Sequence, residues 1–127
     1  MFAFALKASQ VELAKGILSR SQKHLKNGVT TIEVKSGYGL SVDEELKMLR
    51  AIQHANAIIN ASLIPTCLAA HMKPKDWNKD KSYLDVIINE LFPIIKSENL
   101  ANRVDAFVEE SAFSQEEIKP YFQKAKE

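Results

Sequence analysis

The stretch Thr30-Thr31-Ile32-Glu33-Val34-Lys35-Ser36-Gly37-Tyr38-Gly39-Leu40-Ser41-Val42-Asp43-Glu44 decides the fold. Its opening, Thr30 to Lys35, is β-prone and alternates polar with apolar side chains, the pattern of a strand whose two faces meet different surroundings. Gly37 and Gly39 then flank Tyr38, where the backbone can take turn conformations closed to other residues. Ser41-Val42-Asp43-Glu44 matches the capping box, in which a serine hydroxyl accepts the amide hydrogen bond of the third helical residue and the acidic side chain reaches back. Strand, tight turn and helix start follow one another directly, which is a βα unit.

The same capping device recurs at Ser9-Gln10-Val11-Glu12 and at Ser114-Gln115-Glu116-Glu117. The first predicts a helix from about Ser9 to Lys26, with Val11, Leu13, Ile17, Leu18 and Leu25 turned inward and Asn27-Gly28 as its stop. The helix opened at Ser41 is expected to run from Val42 to about Asn60 behind Leu46, Leu49, Ile52 and Ile59. A third, from about Ser82 to Ser97, carries Leu84, Ile87, Ile88, Leu91 and Ile95, and Pro93 should kink or split it. The last begins at Gln115 and either stops near Lys119-Pro120 or continues kinked to the end. Two further β-prone runs, Leu63 to Ala70 and Val104 to Glu109, lie between these helices. Strands alternating with helices imply a parallel sheet. Glu33, Lys35, Asp105 and Glu109 put polar groups on a strand face that an open, doubly covered sheet would keep apolar. The expected fold class is therefore α/β, a partial (β/α)8 TIM barrel rather than a doubly wound sheet.

Composition sets the outer bounds. The chain has 127 residues, 46% apolar and 26% charged, with a net charge of +1. Those values describe a globular chain long enough for one core. The balanced charge gives no footprint for nucleic acid or for an anionic membrane surface. The single cysteine, Cys67, excludes an internal disulfide framework and fits a reducing, cytoplasmic setting. Met1 to Leu6 is apolar but too short for a bilayer, and lacks the basic region and cleavage site of a signal peptide. It reads as the tail of a strand or loop whose beginning lies elsewhere. Three histidines and one cysteine are few for a metal site built by this chain alone.

In a parallel βα array the C-terminal strand ends share one face, where ligands bind. That face is expected to collect Tyr38, His71 and the pair Glu109/Glu110. Tyr38 serves either as a phenol presented to a ligand or as a lid on the core. His71 can act as a hydrogen-bond donor, proton carrier or metal ligand, and the plainer alternative is a histidine satisfied by a neighbouring carbonyl. For Glu109 and Glu110 the options are a general base, a supporting carboxylate or a charge favoured by a helix N-terminus. His24 and His54 are expected on helix surfaces and Cys67 in the interior of the second strand. Trp77 is expected to pack a long loop against the rim, and Lys73 to Lys81 to be a solvated loop.

Glu33-Val34-Lys35-Ser36-Gly37-Tyr38-Gly39-Leu40, followed by Glu45-Leu46-Lys47-Met48-Leu49-Arg50, resembles the signature stretch of the imidazolonepropionases, metal-dependent amidohydrolases. Ala70-His71-Met72-Lys73-Pro74 resembles their Gly-Ala-His-x-x-Pro segment, and Asp105 to Ser114 their Asp-Val-Phe-Cys-Glu segment. Ala69 and Val108 depart from the glycine and cysteine usual there. The resemblance implies hydrolysis of the cyclic amide 4-imidazolone-5-propanoate to N-formimino-L-glutamate in histidine degradation, with zinc or iron as the metal. It places substrate contacts on Tyr38 and His71. It also implies that residues 1–127 are the central part of a barrel of roughly 250 residues, about three of eight βα units. The family's His-x-His pair, later histidine and aspartate, and catalytic glutamate have no counterpart here. No metal or catalytic residue is assigned to this chain, and hydrolysis by it alone is not expected. Whole enzymes of this kind can form homodimers. The competing readings are another cyclic-amide or amino-hydrolase of the same superfamily, such as a guanine-deaminase-like protein, and a non-catalytic α/β interaction module.

Overall fold

The structure, a computed structural model, describes residues 7–77 and 80–127. The apolar run Met1 to Leu6 lies outside them, as do two positions of the lysine-rich loop. The elements are α1 (Gln10–Lys26), β1 (Thr31–Lys35), α2 (Val42–Asn56), β2 (Ser62–Ala70), α3 (Tyr83–Val86), a π-helical turn (Ile87–Leu91), α4 (Phe92–Ser97), β3 (Arg103–Ala106) and α5 (Gln115–Ala125). The strands form one parallel sheet in the order β1-β2-β3. Three parallel strands alternating with helices are the expected α/β arrangement.

All three serines cap their helices, and two of the three expected capping boxes are complete. Ser9 and Ser114 form complete capping boxes with Glu12 and Glu117, and Ser41 accepts the Glu44 amide. Two boundaries and one helix face differ from the sequence reading. In α1 the buried positions are Ala14, Ile17 and Ser21, while first-turn Val11 is exposed. Helix α2 ends at Asn56 rather than near Asn60, because the Asn56 side chain accepts the Leu63 amide at 2.8 Å and turns the chain into β2. Strand β3 stops at Ala106. Beyond it the Phe107 amide still reaches the Ala70 carbonyl at 2.9 Å, but Phe107 and Val108 are exposed and the chain turns back at Glu109. The third helix is split, as Pro93 requires. Proline has no amide hydrogen and its ring crowds the carbonyl four residues back, and the backbone answers with a π turn in which the Phe92 amide reaches Ile87. At Pro120, by contrast, α5 continues through to Ala125.

The core lies between the sheet and the helices. Leu49, Ala51 and Ile52 of α2, Leu63, Cys67 and Ala69 of β2, Ile87 and Leu91 of the π turn, and Tyr121 of α5 are all buried in it, with Ile32 and Val34 packed against it. The other face of the sheet is polar: Thr66 Oγ1 donates to Glu33 at 2.7 Å, and Lys35 Nζ reaches Asp105 at 2.7 Å. The Lys35–Asp105 pair links the two outer strands across β2. Half-exposed, it contributes under about 1 kcal/mol, but it fixes which strand faces share solvent.

Pro65 sits in the central strand, where a missing donor normally breaks a ladder. Here it costs nothing. The Ser62 amide donates to Thr30 and the Leu68 amide to Ser36, so even-numbered residues of β2 point their amides at the β1 side. Pro65 is turned the other way, toward β3, and β3 pairing begins only at Thr66 opposite Arg103.

Tyr121 tests how α5 is held. Its buried phenol donates to the Asp105 carbonyl at 3.1 Å. Tyr121→Phe keeps the ring and should cost about 1 kcal/mol. Tyr121→Ala should cost about 3–5 kcal/mol through the cavity it leaves. Urea denaturation separates the two, and equal losses would mean that the hydroxyl, not the ring, carries the contact.

Candidate functional site

The site is built on the turn after β1. Ser36 is fully buried; its amide donates to the Thr66 carbonyl and its hydroxyl accepts the Leu68 amide, so the turn leaves the sheet from a fixed point. Gly37 then takes φ +116, and a Cβ there would stand 2.6 Å from the Leu68 carbonyl oxygen. Gly39 is needed for a different reason: a Cβ would stand 2.7 Å from both the Glu44 Cβ and the Glu45 amide. Leu40 also has positive φ, at 56°. The chain doubles back tightly onto the first turn of α2.

Inside that doubling lies Glu45, 1% exposed. Its Oε2 accepts the Gly37 amide at 2.9 Å and its Oε1 the Gly39 amide at 2.7 Å, with a longer 3.2 Å contact from Gly37 to Oε1. The Ser36 hydroxyl and the Leu40 amide also lie close enough to favour its charged form. Burial nevertheless raises its pKa above the ordinary glutamate range, because desolvation outweighs these bonds, the Ser36 hydroxyl foremost. Its charge, second to burial, helps raise the Tyr83 phenol, and burial pushes the Cys67 thiol up to about 12. Both neighbours therefore stay neutral beside it.

Tyr38 and His71, the two residues expected to contact a ligand, meet at the C-terminal ends of β1 and β2. Their rings stand edge to face with centroids 5.4 Å apart. His71 Nδ1 lies 3.3 Å from the Gly37 carbonyl oxygen. A carbonyl only accepts, so Nδ1 is the donor in this contact, and in the neutral tautomer that fits it the lone pair lies on Nε2. The neighbouring-carbonyl reading of His71 thus holds for one ring nitrogen, and it orients the other. Phe107, just past β3, closes the far side of the imidazole edge to face at 5.7 Å. Tyr38 also borders an open cleft of about 320 Å³ with Leu13, Val34, Met48 and Ile52. A half-buried phenol and an oriented imidazole side by side can hydrogen-bond a small planar ring bearing a carbonyl and nitrogens.

Glu109 and Glu110 do not join them. Both are exposed in the turn closed by the Ala112 amide on the Glu109 carbonyl, beside Lys73 and Phe113. Neither lies in the first turn of α5, where Glu116 and Glu117 supply the acidic charge. His24 and His54 are exposed and Cys67 is buried, as expected. Trp77 stacks edge to face on Tyr83 at 5.0 Å and donates to the Lys81 carbonyl, which holds the long loop down. Among the described residues no three histidine, cysteine, aspartate or glutamate side chains converge as a metal cradle. The groups present here do not fit a metal centre. Glu45 and Phe107 were not singled out as site residues from sequence.

Two outcomes follow from the turn. Gly37→Ala must strain a positive φ and push into the Leu68 carbonyl, and should cost about 1–3 kcal/mol in denaturant melts. The second concerns pH. Because the folded pKa of Glu45 lies above the unfolded value of 4.5, the native state holds this proton more tightly. Its contribution is fully present below pH 4.5 and is lost as pH rises through the folded pKa. Unfolding free energies of wild type and Glu45→Gln across that window should therefore converge as pH rises, and a constant gap would show that Glu45 titrates normally.

No family model matches the chain. It is 45% identical over 120 residues to the imidazolonepropionase of Erwinia tasmaniensis, covering 94% of this chain and 30% of that protein. Against the imidazolonepropionase of Thermoanaerobacter pseudethanolicus the identity is 41% over 120 residues, 94% of this chain and 29% of the relative. With that of Myxococcus xanthus it is 43% over 113 residues, 88% and 27% respectively. The chain thus spans about 30% of the length of the curated relatives it matches. Along nearly the whole of its own length, it is related to a segment of the imidazolonepropionases.

Proposed function

We propose that this chain forms the substrate-contacting part of an imidazolonepropionase, which opens the cyclic amide of 4-imidazolone-5-propanoate to N-formimino-L-glutamate in histidine degradation. One observation carries the reading. In a chain 45% identical to such an enzyme, the Tyr38 phenol and the His71 imidazole stand edge to face at the strand ends. In this reading the two groups bind the substrate ring through its carbonyl and nitrogens. Tyr38 donates toward the ring oxygen, where negative charge grows as water adds to the carbonyl carbon and the carbon–nitrogen bond breaks. His71, with Nδ1 committed to the Gly37 carbonyl, presents Nε2 as acceptor to a ring N–H.

The metal, zinc or iron, is assigned to ligands outside this chain, since the described residues bring no such set together. The same reading includes a small-molecule substrate, no nucleic-acid partner, a cytoplasmic location and assembly as a homodimer. It is supported by the net charge of +1 and the lone buried cysteine. No helix among the described residues is long and apolar enough to cross a membrane.

The 127-residue chain incubated with 4-imidazolone-5-propanoate should give no N-formimino-L-glutamate, with or without added zinc or iron. In an imidazolonepropionase that includes this segment, Tyr38→Phe should lower kcat/KM by about 10²-fold, the scale of one lost donor to a developing oxyanion. His71→Ala should chiefly raise KM. Full activity in both variants would remove the two residues from the substrate site.

A further inference from the structure

Glu45 is the one charged side chain among the described residues that is fully buried, and the proposed binding pair does not use its chemistry directly. A buried carboxylate carries a heavy desolvation cost unless its oxygens are well supplied with donors. Here the donors are backbone amides placed on either side of Tyr38: Gly37 at 2.9 Å and Gly39 at 2.7 Å. Tyr38 is thereby clamped through both of its flanking residues. The second half of the arrangement runs through the same glycine. Gly37 gives its amide to Glu45 and offers its carbonyl to His71 Nδ1 at 3.3 Å. One peptide segment thus hangs both ring side chains on one carboxylate. A neutral amide in this place has a single acceptor oxygen and would turn an NH2 group at one of the glycine amides. The two close approaches that demand glycine, at Leu68 and at Glu44–Glu45, are what bring these amides within reach.

We propose that Glu45 is the positioning residue of the substrate site: by holding the Gly37 and Gly39 amides, its carboxylate fixes where the Tyr38 phenol and the His71 imidazole stand. The proposal rests on the reading of Tyr38 and His71 as substrate contacts, and it adds a residue that touches neither substrate nor reacting atoms.

The test uses the 127-residue chain, its Glu45→Gln variant and an Ala51→Gly variant that weakens the same helix away from the turn. Amide hydrogen exchange and NMR shifts are followed at Gly37, Gly39, Tyr38 and His71, and each protein is titrated with 4-imidazolone-5-propanoate. In Glu45→Gln, Gly37 and Gly39 should exchange about tenfold faster than in Ala51→Gly, the loss of roughly one good hydrogen bond. The Tyr38 and His71 ring signals should shift as well, and the titration should weaken by a similar factor. Unchanged exchange and ring signals in Glu45→Gln, or identical changes in Ala51→Gly, would overturn the positioning role. If wild type shows no response to the titrant while the exchange and ring shifts follow the pattern above, the function assigned to the pair fails and the positioning stands. Should Glu45→Gln not fold, Glu45→Asp takes its place. Its carboxylate keeps the charge but retracts by one methylene, and the same exchange comparison decides.

Discussion

A single buried carboxylate organises this end of the molecule. Glu45 lies in the first turns of α2, yet its hydrogen bonds belong to the turn that precedes the helix, at Gly37 and Gly39. Helix and turn cannot move apart without stripping a charge of its donors inside the protein, where that is most costly. The turn in turn is anchored to the sheet by Ser36, which bonds to Thr66 and Leu68 of β2. Sheet, turn and helix are therefore locked at one point, and the rings of Tyr38 and His71 take their places from that lock.

Around this point the sheet divides its labour by face. The side toward the helices is apolar and closely filled, with Leu49, Ile52, Cys67 and Leu91 buried in one cluster. The opposite side carries Glu33, Lys35, Thr66 and Asp105 in mutual hydrogen bonds. These polar contacts are individually weak. Their value is in direction: a strand turned over by one residue would put a charge into the core and an isoleucine or valine into water.

Much of this was legible in the residues. The three serine caps, the alternation of Thr30 to Lys35 and the placement of Gly37 and Gly39 gave the order of elements, the parallel sheet and the meeting of Tyr38 with His71. What escaped did so for physical reasons. Glu45 follows Asp43 and Glu44, and three successive acids at a helix start look alike as favourable first-turn charges. Only its place on the stripe Val42, Glu45, Leu49, Ile52 marks it as inward, a signal that could have been used. The early end of α2 depends on Asn56 capturing an amide from β2, a contact between residues that hydrophobic spacing does not connect. Glu109 and Glu110 were expected at the strand ends because β3 was drawn three residues too long, which carried them past the sheet into an exposed turn.

Pro65 has a consequence for how the sheet assembles. Its missing donor faces the side where β3 must dock, immediately below the first paired residues, Thr66 and Arg103. A β3 displaced toward the other end of β2 would meet an amide row interrupted by a residue with no N–H to give. Displacement the opposite way would run off the strand at Ala70. Pro65 therefore acts as a register stop, discriminating among alternative alignments at no energetic cost to the native one. The alignment it selects is the one in which the chain leaving β3 carries Phe107 up against His71.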